Sequence, residues 1–466
     1  NMYNMFKNAS TFNQNISSWN ISNVTNMTNM FENTNALTDA NKCAIHLSFL
    51  SNENWPYDWS EYCGIEFFTY VPDDNFEQAL IDLGYDNIMD DYVLTTNISG
   101  VISLDVGEKE ISNLTGIEGF TALTVLYCDQ NQITSMDVSA NTALTELKCQ
   151  FNDLSSLDVS ANTELTFLNC AGNNLDVIDV SLNTALTTFN IFENNLTSLD
   201  VSQNTAITTM YCYQNQITSL DVSALTQLEV FSFSNNNLTS IDLSTNTALT
   251  KLYAYNNQLT DLDVSVNTTL EYLECYGNQI AYLDVSTNTA LVYLDFGQNN
   301  LTTLDLGANT ALIELYVNDN NLTELDLSTN ASLTKLHSIN NQLTTLDVSN
   351  NTALEYLVLN GNDLTALDVS ANTVLTTLRC AGNDLTVMDV SANTSLTDLR
   401  LSNNLLTSMD LSANTSLNRL YLNGNELTTL DVSANTALTA LRCYDNPELY
   451  CIQVADVDQA EQEWSE

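Results

Sequence analysis

Carboxylates recur at a fixed interval along most of this chain, and side chains of this type can bind cations. Fifteen aspartates occupy one slot of a 21-residue period: Asp137, Asp158, Asp179, Asp200, Asp221, Asp242, Asp263, Asp284, Asp305, Asp326, Asp347, Asp368, Asp389, Asp410 and Asp431. At a strand-like spacing of about 5 Å, neighbouring charges would repel by about 1 kcal/mol in water. Ordered Ca²⁺ between carboxylates, at Asp242, Asp263 and Asp284, would offset this repulsion. The alternative is an Asx-turn, in which each aspartate accepts a hydrogen bond from the backbone two residues on.

Catalytic groups of other kinds are scarce. The chain has two histidines, His46 and His337, and no Ser/His/Asp or Cys/His arrangement can be argued from their positions. We therefore expect a protein that is not an enzyme. We also expect no cofactor, with calcium at the aspartates as the alternative.

The ten cysteines fall into three groups. Seven recur at one slot where other periods have leucine, phenylalanine or isoleucine, and we expect them to be small buried side chains and not metal ligands: Cys128, Cys149, Cys170, Cys212, Cys275, Cys380 and Cys443. Cys43 and Cys63 precede the periodic region and could form a disulfide, which favours an extracellular protein. Cys451 has two open alternatives, a bond to Cys443 and a bond to a cysteine outside this sequence.

A repeat of constant length positions these residues. Asparagine recurs every 21 residues from Asn131 to Asn446, sixteen times without insertion or deletion. A period in this range predicts a solenoid, in which each repeat is one coil stacked on the next. The alternation of Leu147 and Cys149 with polar residues predicts a short strand in each coil. The asparagine after each strand should be buried and bonded to neighbouring coils.

The segment LTELKCQFNDL from Leu144 reads LxxLxCxxNxL and so resembles the leucine-rich-repeat signature. This resemblance implies a mainly β fold, a right-handed solenoid over residues 123–446 with a parallel sheet on its concave side. Residues 64–122 are expected to form an N-terminal helical cap and an irregular first coil. Residues 447–466 are expected to be the start of a truncated C-terminal cap.

The cap helix has a clear sequence pattern. Asp73 is a suitable N-cap, Phe76, Leu80 and Leu83 recur on one side of a helix, and Gly84 is suited to end it. We expect this helix to cover the apolar end of the first coil, as a solenoid requires.

Residues 1–63 carry a different repeat. MYNMF at Met2 recurs as MTNMF at Met27, around FNQNISSWNISNVTNM. These motifs resemble the repeats of BspA-like surface proteins, which implies the C-terminal part of such a module and further repeats before it. The array resembles the 21-residue repeats LTxLDVSxNTALTxLxCxxN of secreted Bacteroidetes leucine-rich-repeat proteins. That resemblance implies export, usually by the type IX secretion route.

Composition excludes several kinds of partner. Ten basic residues against 58 acidic ones give a formal net charge of −48. Binding to nucleic acid or to an anionic membrane surface is therefore disfavoured. No apolar stretch is long enough for membrane insertion. A secreted or cell-surface protein in salty surroundings is the expected setting.

The outward positions of the predicted sheet carry the candidate binding residues. All seven lysines and arginines of the array and twelve of the fourteen tyrosines from Tyr127 to Tyr450 fall there. Tyrosine and arginine are enriched at protein interfaces. We predict ligand binding on the concave face by Tyr211, Tyr213, Tyr253, Tyr255, Tyr272, Tyr276, Tyr293, Tyr316, Arg379, Arg400, Arg419 and Arg442.

Two functions fit these observations. The first is a non-enzymatic extracellular binding module or adhesin that recognises protein or glycan on a cell or particle through the concave face. The alternative is a structural spacer of a cell-surface filament or a large surface protein. Other segments of the same larger surface protein are further expected partners.

Overall fold

The computed structural model describes residues 1–63 and 68–457. The chain divides into two compact units, Asn1–Gly100 and Val101–Glu466, and we describe each by itself. Among the described residues we find no helix of the length and apolar character that a bilayer-spanning helix needs.

The second unit is built on one parallel sheet with a short strand in each coil. Its strands are Ser103–Asp105, Val125–Tyr127, Glu146–Lys148, Phe167–Asn169, Thr188–Asn190, Thr209–Tyr211, Val230–Ser232, Lys251–Tyr253, Tyr272–Glu274, Tyr293–Asp295, Glu314–Tyr316, Lys335–His337, Tyr356–Val358, Thr377–Arg379, Asp398–Arg400, Arg419–Tyr421 and Ala440–Arg442. Each pairs in parallel with the strand of the next coil, so Leu273 lies opposite Leu294. The predicted fold class, a mainly β leucine-rich-repeat solenoid, is confirmed.

The core is a stack of identical apolar layers. In the coil that starts at Leu270, the side chains of Leu270, Leu273, Cys275, Ile280 and Val285 are fully buried. Complete burial of an aliphatic side chain stabilises by about 1.5–3 kcal/mol relative to exposure. Because each coil repeats the same inward set, its neighbours on both sides cover it, and the single coil contributes no separate core.

The predicted asparagine ladder is present and joins consecutive coils. The Oδ1 atom of Asn278 accepts a hydrogen bond from the backbone N–H of Leu259 at 3.0 Å. Its Nδ2 atom donates to the carbonyl of Ala254 in the preceding coil and to that of Cys275 in its own, each at 3.1 Å. The asparagines from Asn131 to Asn446 are all buried. Their amides thus satisfy backbone groups that the turn leaves without partners.

A second asparagine row, which the sequence interpretation did not identify, is also buried. Asn288 is fully buried, and its Nδ2 atom donates to the carbonyls of Val264 at 3.0 Å and Asn267 at 2.8 Å. The same slot holds asparagine from Asn141 to Asn435 with one exception, Leu225. Recurrence of one polar type at one slot was the signal that could have identified this row.

The first coil contributes a strand to the sheet at a spacing other than 21 residues. Ser103–Asp105 pairs with Val125–Tyr127, so Asp105 lies on a sheet strand opposite Tyr127. Asp105 is therefore not a member of the aspartate row on the other side of the coils. The pattern Ser-Leu-Asp-Val alternates like a sheet strand, and its leucine is buried.

The predicted helix in the first unit spans Asp74–Asp82, with Asp73 as its N-cap. The Asp73 carboxylate accepts from the backbone N–H groups of Asn75 and Phe76 at 3.1 and 3.0 Å. Phe76 and Leu80 are buried, but Leu83 is exposed, so its predicted place on the buried side is wrong. Leu83 is the C-cap, where the chain leaves the helical path. Packing of this helix on the first coil stays a prediction.

The remaining elements of the first unit are short. They are the helices Asp39–Phe49 and Thr95–Ile98, the 3₁₀ turn Ser60–Cys63, and the antiparallel strands Phe68–Tyr70 and Tyr92–Leu94. Residues 1–59 have their own apolar cluster, which includes Met27, Met30, Phe31 and Phe49. The two copies of the predicted repeat, at Met2 and Met27, are hydrogen-bonded to each other, since the N–H of Phe6 donates to the carbonyl of Met30 at 2.9 Å.

Two small elements complete the second unit, one at each end of the array. A 3₁₀ turn, Ile117–Gly119, lies in the first coil, and Leu430–Asp431 pairs in parallel with Ile452–Gln453 near the C-terminus. The predicted truncated C-terminal cap falls partly on residues 458–466, which lie outside the described residues, as do residues 64–67 at the start of the predicted N-terminal cap.

Candidate binding face

The outward side chains of the strands form one continuous surface, which we call the sheet face and which the sequence predicts to be concave. Strand register brings the seven basic residues of the array to this face, each inside a strand. Ten of the twelve tyrosines predicted at outward positions are half-buried, and Tyr213, Tyr255 and Tyr276 lie two residues after the ends of their strands. The predicted ligand residues therefore share one face, and their role in binding stays a prediction.

Five rings form a row across five consecutive coils. Tyr272 and Tyr293 stack with centroids 4.1 Å apart and an interplanar angle of 10°. Tyr253 contacts Tyr272 at 5.3 Å, and Tyr316 contacts Tyr293 at 5.4 Å. His337 extends the row, with its ring 4.9 Å from that of Tyr316. Such pairs stabilise by about 0.5–1.5 kcal/mol beyond burial, which favours a fixed arrangement of rings.

A second row runs along the residues that follow the strands. Tyr255 and Tyr276 stack at 4.6 Å with an interplanar angle of 4°, and Phe192 stacks on Tyr213 at 4.4 Å. Between these two pairs the coil carries Ser234, which is buried. The rings of this row therefore form two stacked groups, one on each side of Ser234.

Two carboxylates lie at the centre of the aromatic surface. Glu274 and Asp295 are opposite each other on neighbouring strands, between Tyr253 on one side and Tyr316 on the other. The pKa of Asp295 is raised to about 6, mainly by burial and also by the charge of Glu274. The hydrogen bond from the backbone N–H of Gly297 acts in the opposite direction. The Tyr272 hydroxyl donates to Glu274 at 2.6 Å. The sequence interpretation did not select these two acids, although their shared slot in consecutive coils is visible in the sequence.

Asp398 changes the electrostatics of the predicted arginine patch. This buried carboxylate accepts from Arg379 Nη2 at 2.8 Å and from Arg400 Nε at 2.8 Å. The two guanidinium groups lower the pKa of Asp398 against the opposing effect of its burial. Arg400 and Arg442 also lie over the Tyr421 ring, with Cζ 4.8 and 4.6 Å from its centroid. The patch is therefore an ordered network and not four independent positive charges.

Lysines of the sheet face are also paired. Lys335 Nζ lies 2.8 Å from Glu314, which also accepts from the Tyr316 hydroxyl at 2.8 Å. Lys148 Nζ lies 3.2 Å from Glu146 and 3.8 Å from the centroid of the Tyr127 ring. His337 lies on a strand, and burial lowers its pKa, as do the nearby charges of Arg379 and Lys335.

The aspartate row faces solvent on the other side of the coils and forms Asx-turns. The Oδ1 atom of Asp326 accepts from the backbone N–H of Ser328 at 2.9 Å, and the same bond recurs at all fifteen positions, with Gly307 in place of serine after Asp305. This bond and the serine hydroxyl lower the pKa of Asp326.

Calcium at this row remains a prediction. Asp242, Asp263 and Asp284 each make the same turn in successive coils. Within residues 1–63 and 68–457 we find no group of three or more histidine, cysteine, aspartate or glutamate side chains arranged to hold a metal ion. A groove of about 750 Å³ on this side is lined by Asp284, Asp305, Asp326 and Asp347.

The structure places the cysteines in three environments. Six of the seven array cysteines are fully buried, and burial raises the pKa of Cys149 and of Cys212 to about 12. Full burial of Cys443 was a wrong prediction, because this residue is half-buried at the end of the sheet. Cys451 is exposed and, like Cys443, free. Cys43 and Cys63 are bonded, with Cα atoms 4.6 Å apart.

Two families match parts of the sequence. Residues 1–46 match the family described as Mycoplasma protein of unknown function, DUF285. Residues 226–267 match the family described as Leucine Rich repeats (2 copies). The first match covers the segment with the BspA-like motifs, and the second lies within the array.

Solved structures and a curated relative extend the comparison. One similar solved structure is the functional domain of InlJ from Listeria monocytogenes, described as including a cysteine ladder. It is 37% identical to this chain and has a TM-score of 0.67. The alignment covers 80% of this chain and 79% of that one. A leucine-rich-repeat protein of Leptospira interrogans is 22% identical with a TM-score of 0.63, over 79% and 95% of the two chains, and supports the fold alone. Internalin J of Listeria monocytogenes serotype 4b is 39% identical over 75 residues, which are 16% of this chain and 8% of that protein.

The parallel coils and their asparagine ladder define a leucine-rich-repeat solenoid. The chain belongs to the leucine-rich-repeat family that includes the functional domain of InlJ. Its match to the full curated relative spans less than a tenth of that relative's length, so the activity and partners of this chain are a matter for proposal.

Proposed function

We propose that this chain is a non-enzymatic extracellular binding module, an adhesin that recognises a protein or glycan ligand through its sheet face. One observation carries the proposal. All seven basic residues of the array occupy outward strand positions, and twelve of the fourteen tyrosines from Tyr127 to Tyr450 lie at such positions or two residues after a strand. The opposite side repeats the same aspartate turns in coil after coil and offers little variation for specific recognition.

Strand propensity accounts for part of this segregation. Tyrosine is favoured in strands of any sheet, so its enrichment alone is weak support for binding. Lysine and arginine have no such preference, yet residues 123–446 contain none outside the strands. Ordered aromatic rows next to fixed charges are also the kind of surface in which tyrosine and arginine act as interface anchors.

The setting is part of the same proposal. The resemblance to secreted Bacteroidetes proteins and to BspA-like surface proteins supports a secreted or cell-surface location and export by the type IX route. The bond between Cys43 and Cys63 fits an oxidising environment. Other segments of a larger surface protein would then hold the sheet face away from the cell.

Adhesion of coated beads tests the function and its alternative together. Beads carrying the chain are applied to cells and particles that are untreated, protease-treated or periodate-treated. Loss of adhesion after protease indicates a protein ligand, and loss after periodate indicates a glycan. If beads adhere to no surface, and deletion of two coils in a surface-displayed protein only shortens its reach, the chain is a structural spacer and the proposed function is wrong.

A further inference from the structure

We propose that Glu274 and Asp295, together with the tyrosines around them, form a seat for a lysine or arginine side chain of a protein ligand. This inference rests on the proposed function and names the chemistry that the centre of the sheet face recognises.

The seat has a defined geometry. Four outward side chains share one register across four consecutive strands, in the order Tyr253, Glu274, Asp295 and Tyr316. Neighbouring strands lie about 4.8 Å apart, so the two carboxylates are neighbours and a ring flanks each outer side. The result is a short acidic centre between two aromatic walls.

Further rings close the seat along the strand direction. The stacked pair Tyr272 and Tyr293 lies two residues before the carboxylates on the same two strands. Tyr276 lies two residues after Glu274, whereas the matching position after Asp295 is Gly297, which has no side chain.

Charge distinguishes these two acids from the other carboxylates inside the sheet strands. Five carboxylates occupy outward positions inside the strands between residues 125 and 442: Glu146, Glu274, Asp295, Glu314 and Asp398. Three of them pair with cations of the chain, through Lys148, Lys335 and the arginines 379 and 400. No ion pair to Glu274 or Asp295 occurs in the described part of the chain, so this centre has charge that a partner can neutralise.

The chemistry favours an organic cation. Ammonium and guanidinium groups bind the faces of tyrosine rings. Ca²⁺ instead takes six to eight oxygen ligands, which two carboxylates among tyrosine rings do not provide. The Tyr272 hydroxyl holds Glu274 by a 2.6 Å hydrogen bond, so the carboxylate is oriented before a ligand arrives. Burial and the Glu274 charge raise the pKa of Asp295 to about 6, and the positive charge of an incoming cation would act against that rise.

Peptide binding tests the seat with a matched control. The probe is a short peptide whose only charged side chains are two lysines, and its control is the same peptide with both lysines acetylated. Binding is measured by fluorescence polarisation at about 150 mM NaCl, where surface charges are screened beyond about 8 Å. The variant is Glu274→Gln with Asp295→Asn. The control is Asp305→Asn with Asp326→Asn, which removes the same charge from the opposite side of the same region.

We expect the lysine peptide to bind the wild-type chain and the control alike, and to bind the Glu274→Gln/Asp295→Asn variant at least about tenfold more weakly. Equal binding of both peptides, or an equal loss in variant and control, overturns the inference. The bead assay separates its failure from that of the proposed function. If Tyr253→Ala/Tyr255→Ala abolishes adhesion while Glu274→Gln/Asp295→Asn does not, the sheet face binds ligand but has no cation seat.

Discussion

Glu274 and Asp295 lie directly opposite each other on neighbouring parallel strands, in the middle of the aromatic surface. The fold thus holds two like charges side by side where one of them is largely removed from water, and the pKa of Asp295 rises to about 6 as a result. A sheet selected for stability alone would place an apolar or oppositely charged pair here. The carboxylate pair is therefore a feature that the stability of the array does not explain.

The substitution Asp295→Asn should stabilise the folded chain at alkaline pH. The folded-state pKa of Asp295 lies above the usual value of 3.8, so its contribution to stability is complete below pH 4 and is lost as pH rises through about 6. The asparagine variant loses nothing over this range. We expect it to be more stable than the wild type by about 1–2 kcal/mol at pH 8 and nearly equal at pH 4, measured by urea denaturation.

Asp326→Asn is the matched control for that measurement. Hydrogen bonds from Ser328 lower the pKa of Asp326, so its stabilising effect is present above pH 4 and is lost as pH falls below it. This substitution should give no stabilisation at pH 8. A gain from both variants would attribute the effect to the net charge and not to the environment of Asp295.

The asparagine ladder should be sensitive to removal of a single amide. Asn278→Ala leaves the backbone N–H of Leu259 and the carbonyl of Ala254 buried without the partners they now have. We expect a loss of about 2–4 kcal/mol, because each buried polar group without a partner costs about 1–3 kcal/mol. The exposed Asn300, changed to alanine, should shift the urea midpoint little. Similar shifts for the two variants would contradict the structural role of the ladder.

The repeat explains how much the sequence could predict. Because the period is constant at 21 residues, the interpretation of one coil applies to all sixteen. Leu147, Cys149 and Asn152 were predicted from this spacing to be buried, and all three are. Predictions were less accurate where the chain leaves the period. Leu83 is the C-cap of its helix, and Cys443 follows the last strand of the described sheet.

Pairing between coils was the part of the candidate site that the sequence did not reveal. Residues such as Asp398 and Arg379 are nineteen positions apart, and their contact depends on which outward slots become neighbours across strands. The same holds for Glu274 and Asp295. The register of strand pairing decides which residues of neighbouring coils lie side by side. An error of one residue in that register would exchange the outward and inward side chains.

Thiol labelling should reproduce the three cysteine environments. The buried array cysteines should resist alkylation in the native chain, because they are inaccessible and burial raises the pKa of thiols such as Cys149. Cys451 should react rapidly, Cys443 more slowly, and Cys43 and Cys63 only after reduction. Mass spectrometry after native and denaturing alkylation measures this. Rapid native labelling of Cys149 would contradict the core.

Salt should distinguish the two interpretations of the aspartate row. If the Asx-turns need only screening, the melting temperature should rise equally in sodium chloride and in calcium chloride of the same ionic strength. If Ca²⁺ is ordered at Asp242, Asp263 and Asp284, calcium at low millimolar concentration should stabilise far more than matched sodium. The turn bonds at every position lead us to expect equal effects.

Adhesion of sheet-face variants tests the central claim most directly. Beads coated with the wild type, with Tyr253→Ala/Tyr255→Ala, or with the control Asp305→Asn/Asp326→Asn are applied to a surface that the wild type binds. A truncated tyrosine anchor typically costs about 2 kcal/mol or more in binding, which is about thirtyfold in affinity. The account predicts that the tyrosine variant loses adhesion while the control retains it. Retained adhesion by the tyrosine variant together with its loss in the control would contradict binding through the sheet face.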